Sequence, residues 1–283
     1  MSSSFVEGKT CVVTGANSGI GYVTARELAR MGAKIILVCR NQSKCEVARD
    51  SIKKATGNES VESEIADLAS FGSVRKLAQR LQQSYEKIHI LVNNAGLIIG
   101  KRMLTEDGLE TTFQVNYASH FLLTYLLLNT MKESAPSRII NVSSAAHFSG
   151  YMDFDDLQKE KSYSAMRSYC QSKLAQVLFT YELADRLNGT SVTVNCVHPG
   201  AVRTNWGDEA GALGIGIRIA RPFMLSPEKG AQTTVYAAIS PDLDEISGKY
   251  FAKRKEARTS KESYDVDERK KLWDISLKLC RLE

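Results

Sequence analysis

The feature that most constrains this chain is a glycine-bearing turn set between a short apolar run and a helical one. Thr10-Cys11-Val12-Val13-Thr14 has the length and apolar content of a buried strand, and it leads into Gly15-Ala16-Asn17-Ser18-Gly19-Ile20-Gly21. Beyond the turn, Ile20, Val23, Leu28 and Met31 recur at helical spacing until Gly32 stops them. Strand, glycine turn and helix together make a phosphate cradle. Glycines let the backbone turn tightly and approach a pyrophosphate, which then faces the positive end of the helix dipole and its unpaired amides. The spacing is GxxxGxG rather than the commoner GxGxxG. Gly15, Asn17, Ser18, Gly19, Ile20 and Gly21 are the residues placed to hold such a ligand.

Strands then alternate with helices to the end of the chain. Lys34–Cys39 is a second strand, apolar enough to be buried on both faces. It ends in Arg40. An acidic residue there would bond the adenosine ribose hydroxyls of NAD, whereas a guanidinium, helped by Lys44, suits the 2′-phosphate of NADP(H). A helix over Ser43–Thr56 stops at Gly57, and a strand near Ser60–Ile65 delivers Asp67 and Leu68. Asp67 either accepts from an adenine amino group or caps the next helix. That helix spans Phe71–Tyr85, and strand Ile88–Val92 ends in Asn93-Asn94-Ala95-Gly96, small enough for a cofactor to lie against the backbone. A helix over Thr105–Thr130 carries Asn116 in its middle, where an amide is a poor helix former unless something needs it. Strand Arg138–Val142 ends in Ser143-Ser144, and alternation across a strand turns only one of these serines to a given cavity.

The second half continues with a helix over Ser164–Leu187, strand Val192–Val197 and then Pro199, Gly200, Val202 and Thr204. Pro227–Ile239 is helical, Lys249–Phe251 a last short strand and Val266–Leu279 a last helix. This order predicts an α/β fold: one doubly wound parallel sheet of about seven strands with helices on both faces, in a single domain over residues 1–283. A cofactor half covers about 8–135, a catalytic and substrate half about 136–251, and a basic helical tail 252–283.

The formal charge of +5 is mild, and much of it falls in the last segment, where acidic residues are interleaved. The expectation is a solvated helical face or tail, with weak peripheral contact to an anionic membrane as the minority alternative and no nucleic-acid module. The six cysteines show neither paired spacing nor CxxC, which suits free thiols in a reducing compartment. The longest apolar run, Phe121–Leu128, is too short to span a bilayer, and Met1–Ser4 lead straight into the first strand. Residence in the cytoplasm, or peripheral to an intracellular membrane, is expected. No histidine pair has metal-ligand spacing, so no metal is expected.

Tyr169 and Lys173 stand four apart on the Ser164–Leu187 helix and so project from one face. A fixed ammonium there favours phenolate over phenol and lets the tyrosine work as an acid or base near neutrality. Ligands of such sheets bind outside the carboxyl ends of the strands, where all these features lie. Thr14-Gly15-x-x-x-Gly19-x-Gly21, Asn93-Asn94-Ala95-Gly96, Asn116, Ser144, Tyr169-x-x-x-Lys173 and Pro199-Gly200, in this order, resemble the short-chain dehydrogenase/reductase family from about Gly8 to Phe251. The resemblance implies that Tyr169 exchanges a proton with the substrate oxygen, Lys173 lowers its pKa and holds the nicotinamide ribose, and Ser144 bonds the substrate oxygen. It further implies that Asn116 holds a water linking Lys173 to solvent, Asp67 contacts adenine, Asn94 lines the cofactor site and Thr204 meets the carboxamide.

Serine and tyrosine stand further apart than in the commonest family members, which keeps Ser143 in view beside Ser144. The intervening Phe154-Asp155-Asp156-Leu157-Gln158, with Val38-Cys39-Arg40 and Val142-Ser143-Ser144-x-Ala146-His147, resembles the retinol dehydrogenase branch, which acts on retinal and related lipid aldehydes with NADP(H). The apolar, glycine-bearing segment Asn205–Leu225 is either a lid over a small apolar carbonyl or alcohol substrate or a surface helix. By the same resemblance, copies pair as a homodimer through the helices of Thr105–Thr130 and Ser164–Leu187. Two alternatives stand beside retinal-like reduction: a steroid, quinone or other carbonyl reductase, and a non-catalytic NADP(H)-sensing protein.

Overall fold

The computed structural model describes residues 5–203 and 224–283. Thr204 and most of the segment 205–225 read as a lid lie outside the described residues. The strands are β1 (Thr10–Thr14), β2 (Lys34–Cys39), β3 (Val61–Ile65), β4 (Ile90–Asn93), β5 (Ser137–Val142), β6 (Val192–His198), β7 (Lys249–Ala252) and β8 (Lys255–Glu256). They form one sheet in the order β3-β2-β1-β4-β5-β6-β7-β8. All neighbours are parallel except β7 and β8. The chain thus starts in the middle, winds to one edge, and returns past β1 to wind to the other. The reversal between β1 and β4 leaves a crevice at their carboxyl ends, where doubly wound sheets bind ligands.

The eighth strand exceeds the expected seven. It is two residues long and antiparallel, and follows a reversal at Lys253 and Arg254, whose φ angles of 52° and 62° lie in the left-handed region. Two long side chains in that conformation carry none of the glycine or asparagine signal by which such turns are read.

The helices are α1 (Gly19–Arg30), α2 (Gln42–Thr56), α3 (Phe71–Ser84), α4 (Thr111–Phe113), α5 (Ser119–Glu133), α6 (Ala165–Arg186), α7 (Pro227–Ile239) and α8 (Val266–Leu279). Alternate side chains of one strand feed opposite layers. Cys11, Val13, Ile35 and Leu37 pack with Leu28, Ile52 and Ala237 from α1, α2 and α7. Val12, Ile36 and Val38 pack instead with Leu77, Phe121 and Leu178 from α3, α5 and α6. Both faces of the central strands are therefore dry, which is why β1, β2 and β4 read as apolar runs, while the edge strands β3 and β8 carry charged residues. Each apolar side chain fully buried in these layers contributes roughly 1.5–3 kcal/mol.

Two expectations are corrected here. The helix read over Thr105–Thr130 begins only at Thr111, because the buried carboxylate of Glu110 caps it by accepting from the Thr112 and Phe113 amides at 2.9 and 2.8 Å. A π-helical turn over Gln114–Ala118 then separates α4 from α5. The cysteines are not all free: Cys39 at the end of β2 and Cys45 in the first turns of α2 are joined in a disulfide, their Cα atoms 5.8 Å apart. They stand six positions apart in sequence, but the strand-to-helix turn folds one back over the other.

The C-terminal segment carries its charges outward and buries its other face. Leu272 and Trp273 of α8 are buried, and Trp273 packs edge-on against Phe121 with ring centroids 5.0 Å apart. Tyr117 and Ser276 hydroxyls meet at 2.7 Å. α8 thereby covers part of the α5 and α6 surface that the resemblance assigns to pairing between copies. No helix among the described residues is long and apolar enough to cross a membrane.

Candidate active site

A cavity of about 680 Å³ opens at the carboxyl ends of the strands, over the β1/β4 reversal. Gly15, Asn17, Ser18, Gly19, Ile20 and Gly21 line one side, with Arg40, Asp67 and Leu68 at the far end. Asn94, Ala95 and Gly96 form the floor, and Pro199, Gly200 and Val202 the opposite edge. Ser144, Tyr169 and Lys173 stand at the other end of the same space, among the apolar Leu97, Met166 and Met224. Of the residues singled out from sequence, Asn116 does not reach the wall and Thr204 lies outside the described residues.

The local geometry fits a dinucleotide. Gly15 has φ +65°, and a Cβ there would lie 2.9 Å from the Ala95 Cα. A Cβ on Gly21 would fall 2.4 Å from the Gly15 carbonyl oxygen and 2.5 Å from the Asn94 amide nitrogen. Glycine is required at both positions by space, and at Gly15 by conformation as well. Asn41, Ser70, Ser164, Ser226 and Asp265 cap α2, α3, α6, α7 and α8 with their side chains. Ser18, at the start of α1, makes no such bond, and the first turn of α1 holds no acidic residue. The α1 amides and dipole thus face the cavity uncapped, as a pyrophosphate would need. Arg40 and Lys44 line the end where a 2′-phosphate would lie. The helix-cap role weighed for Asp67 falls instead to Ser70. Asp67 lines the cavity, and one carboxylate oxygen accepts from the Ala69 amide at 2.9 Å.

Both serines line the cavity, contrary to the expectation from strand alternation, and they differ in what their hydroxyls bind. Ser143 donates its hydroxyl to the Lys173 carbonyl at 2.8 Å and is spent on α6. Ser144 bonds the Tyr169 phenol and accepts from the Ala146 amide at 3.2 Å. Tyr169 is not the lowered phenol expected from its lysine. Burial pushes it up to about 12, against which the Ser144 bond pulls down. Lys173 lies 5.6 Å from the Tyr169 ring centroid, and its Nζ donates to the Val142 carbonyl and to Gln176 Oε1, both at 2.9 Å. Burial draws this ammonium down to about 8. The ring-facing lysine is present, but desolvation is the largest influence on both groups.

Asn116 sits in the π-helical turn with its side chain fully occupied. Oδ1 accepts from the Leu97 amide at 2.8 Å, and Nδ2 donates to the Leu97 carbonyl at 2.9 Å and to Ser172 Oγ at 3.0 Å. It backs Gly96 from behind the wall: a Cβ on Gly96 would meet Asn116 Oδ1 at 3.3 Å and Lys173 Nζ at 3.6 Å.

Three contributors had no role assigned from sequence, although Thr14 stands in the motif that carries the family resemblance. Thr14 Oγ1, at the end of β1, accepts from the Asn94 and Ala95 amides at 2.9 and 3.0 Å and so seats the floor against the glycine turn. His120 is buried between Thr14 Oγ1 (3.0 Å) and the Asn116 carbonyl (3.1 Å). The carbonyl only accepts, so Nδ1 carries the proton and Nε2 accepts from the threonine. Burial holds this imidazole down to about 4. Gln176 holds Lys173, one turn further along α6. Its position three residues on is the one signal that could have found it. Among the described residues, no three His, Cys, Asp or Glu side chains are grouped to hold a metal ion.

Comparison with known proteins agrees with this geometry. Residues 9–213 match the family model for short chain dehydrogenases. Retinol dehydrogenase 13 of Mus musculus is 46% identical over 99% of this chain and 86% of its own length, and retinol dehydrogenase 12 of the same species is 44% identical over 98% and 88%. Among solved structures, an uncharacterised protein from Mycobacterium paratuberculosis superposes with a TM-score of 0.81 at 33% identity, covering 99% of this chain and 96% of that one. A Beutenbergia cavernae protein assigned as an NAD(P)-dependent gluconate 5-dehydrogenase, with NADP bound at low occupancy, gives a TM-score of 0.70 at 27% identity over 88% and 96%. A doubly wound sheet with an uncapped glycine cradle, a serine, tyrosine and lysine at one cavity end, and relatives matched over nearly the whole chain identify this protein as an oxidoreductase of the short-chain dehydrogenase family, in its retinol dehydrogenase branch.

Proposed function

We propose that the protein moves a hydride between NADP(H) and an apolar aldehyde or ketone, retinal-like or a lipid aldehyde, with Tyr169 as the acid and base. The observation that carries this reading is the convergence of Ser144, Tyr169 and Lys173 on the cavity whose other end holds the glycine cradle and Arg40. Bound in that cavity, the nicotinamide supplies the hydride. The chain supplies placement and the proton. Tyr169, protonated at neutral pH, donates to the carbonyl oxygen as negative charge develops there, and Ser144 stabilises that charge by hydrogen bonding. Lys173 carries its charge below about pH 8 and offsets the charge left on the phenolate. In the reverse direction Tyr169 takes the proton from the alcohol.

NADP(H) is favoured over NAD(H) by Arg40 and Lys44 on the cavity wall, and the Beutenbergia cavernae neighbour holds NADP. An apolar substrate is favoured by Leu97, Met166 and Met224 around the reacting groups, and the relatives carry the name retinol dehydrogenase. The test is consumption of NADPH, with NADH alongside, over all-trans-retinal, a medium-chain aldehyde, a steroid ketone and a quinone. Preference for NADPH and the aldehydes is the expected result, with turnover abolished and NADPH affinity retained in Tyr169→Phe. Turnover of the steroid or quinone alone would overturn the substrate. Tight NADPH binding without turnover of any would overturn the reaction in favour of a sensor.

A further inference from the structure

The turn that carries Ser144 is held by imidazoles that take no part in the proton transfer. Ser144 has extended backbone, φ −158° and ψ 158°, and stands just before the 3₁₀ turn Ala145–Ser149. His147 on that turn is fully buried. Its Nδ1 lies 2.7 Å from the Ser144 carbonyl oxygen, and its Nε2 lies 3.2 Å from the backbone nitrogen of Ser260, far along the chain. From the opposite side, His198 Nδ1 accepts the Ala145 amide at 3.2 Å.

We propose that His147 is a positioning residue for the reaction: it fixes the Ser144 turn to the C-terminal segment in a single tautomer, and so sets the Ser144 hydroxyl against Tyr169. The inference rests on Ser144 acting on the substrate oxygen as described above. A carbonyl oxygen only accepts and an amide nitrogen only donates, so the two partners of the ring make opposite demands. Neutral imidazole with its proton on Nδ1 satisfies both. The Nε2–H tautomer satisfies neither. The surroundings are close-packed: the Tyr250 ring lies tilted by 56° at 4.9 Å between centroids, its hydroxyl oxygen 3.5 Å from Nδ1, where it can accept from the same Nδ1–H, and a Cβ on Gly150, which closes the turn, would fall 2.7 Å from the Cys170 carbonyl on α6. Ser260 is itself buried, next to Thr259, whose hydroxyl meets that of Tyr181 of α6 at 2.9 Å. The segment beyond β8 is thus clamped to the same helix that bears Tyr169, and His147 passes that fixed position to the serine. Displacement of a reacting group by about 1 Å costs on the order of a hundredfold in rate, so a loose turn would be felt in kcat.

Two variants separate the two ends of the ring. In His147→Asn the side-chain amide takes the place of Nδ1–H and still donates to the Ser144 carbonyl. In His147→Gln the side-chain carbonyl takes the place of Nε2 and still accepts from Ser260. Each variant severs one end of the link, so a fall in kcat of at least about tenfold is expected in both, with the Kd for NADPH within about twofold. In a Ser144→Ala background, His147→Gln should add less than about twofold, because its effect runs through the serine. A loss of less than about threefold in either variant, losses that follow melting temperature, or an undiminished effect without Ser144 would overturn the inference. Imidazole ¹H–¹⁵N spectra of the unmodified protein, with His147 assigned by its disappearance in His147→Asn, read the tautomer without any turnover. Nδ1–H is expected at pH 7.5, and Nε2–H would overturn the inference. Should the unmodified protein reduce no carbonyl at all, the proposed reaction fails, and the tautomer still decides the role of His147.

Discussion

Tyr169 illustrates how one residue can be legible in kind and not in state. Its spacing from Lys173 marks it from sequence, because four residues along a helix return to one face. Its pKa does not follow from that spacing: burial raises the phenol to about 12 and lowers the ammonium to about 8, and only the packed cavity shows that desolvation prevails. The consequence is directional. Under the proposed reaction, reduction uses the phenol, present throughout the neutral range, whereas alcohol oxidation needs the phenolate. Oxidative kcat/KM should therefore rise by up to about tenfold per pH unit from pH 7 to about 8, above which Lys173 loses the charge that offsets the phenolate, while the reductive value gains nothing; parallel pH profiles in both directions check this. Arg40 lines the end of the cavity where the proposed NADP(H) would place its 2′-phosphate. Arg40→Ala should raise the KM for NADPH about tenfold or more and leave that for NADH nearly unchanged. The roles of Thr14 and His120 stayed hidden because a threonine ending a strand and a histidine inside an apolar helix look the same whether or not their polar atoms are tied to a site.

At the scale of the element, strands and long helices followed their periodicity, since both faces of the central strands are buried and every helix has one apolar side. The departures share a cause: local polar geometry overrode hydrophobic spacing. The apolar pattern of Thr105–Thr130 runs on past Glu110, but only a buried carboxylate aimed at two amides shows where the helix starts. The π-helical turn that displaces Asn116 leaves no trace in a period of three or four residues. Cys39 and Cys45 likewise needed the fold of β2 onto α2 before their pairing could be seen. The glycine cradle was legible because glycine is the residue type that space alone demands. Gly21→Ala would drive a Cβ into the Gly15 carbonyl and the Asn94 amide. It should weaken NADPH binding by about tenfold or more and cost roughly 1–3 kcal/mol of stability, read by titration and by chemical denaturation.

For the whole molecule, burial of titratable groups bounds the pH range of stability. His120 and His198 have folded pKa values of about 4 against 6.5, so between those values the unfolded chain binds more protons and acid favours unfolding. For His120 alone the loss, complete near pH 4, is on the order of 3 kcal/mol. Cys11, Cys196 and Cys280 are raised from 9.0 to about 12, so above pH 9 the unfolded chain releases protons that the fold retains, and alkali also favours unfolding. Lys173, lowered from 10.5 to about 8, opposes this in part between those values. Melting temperature should be highest between about pH 6.5 and 9 and fall on both sides; a flat profile from pH 5 to 10 would contradict these assignments. The topology was readable because the order of strands and helices admits few right-handed, doubly wound solutions. The docking of α8 on α5 and α6 was not, because charge on one face of that helix masked Leu272 and Trp273 on the other.

The most direct test of the central claim is the fate of the hydride. The purified protein is given all-trans-retinal with NADPH carrying deuterium at the transferable C4 position, and the alcohol formed is examined by mass spectrometry and NMR. One deuterium on the carbinol carbon is predicted, with none incorporated by Tyr169→Phe. Alcohol formed without deuterium, or deuterium transfer confined to a quinone or steroid ketone, would contradict the account.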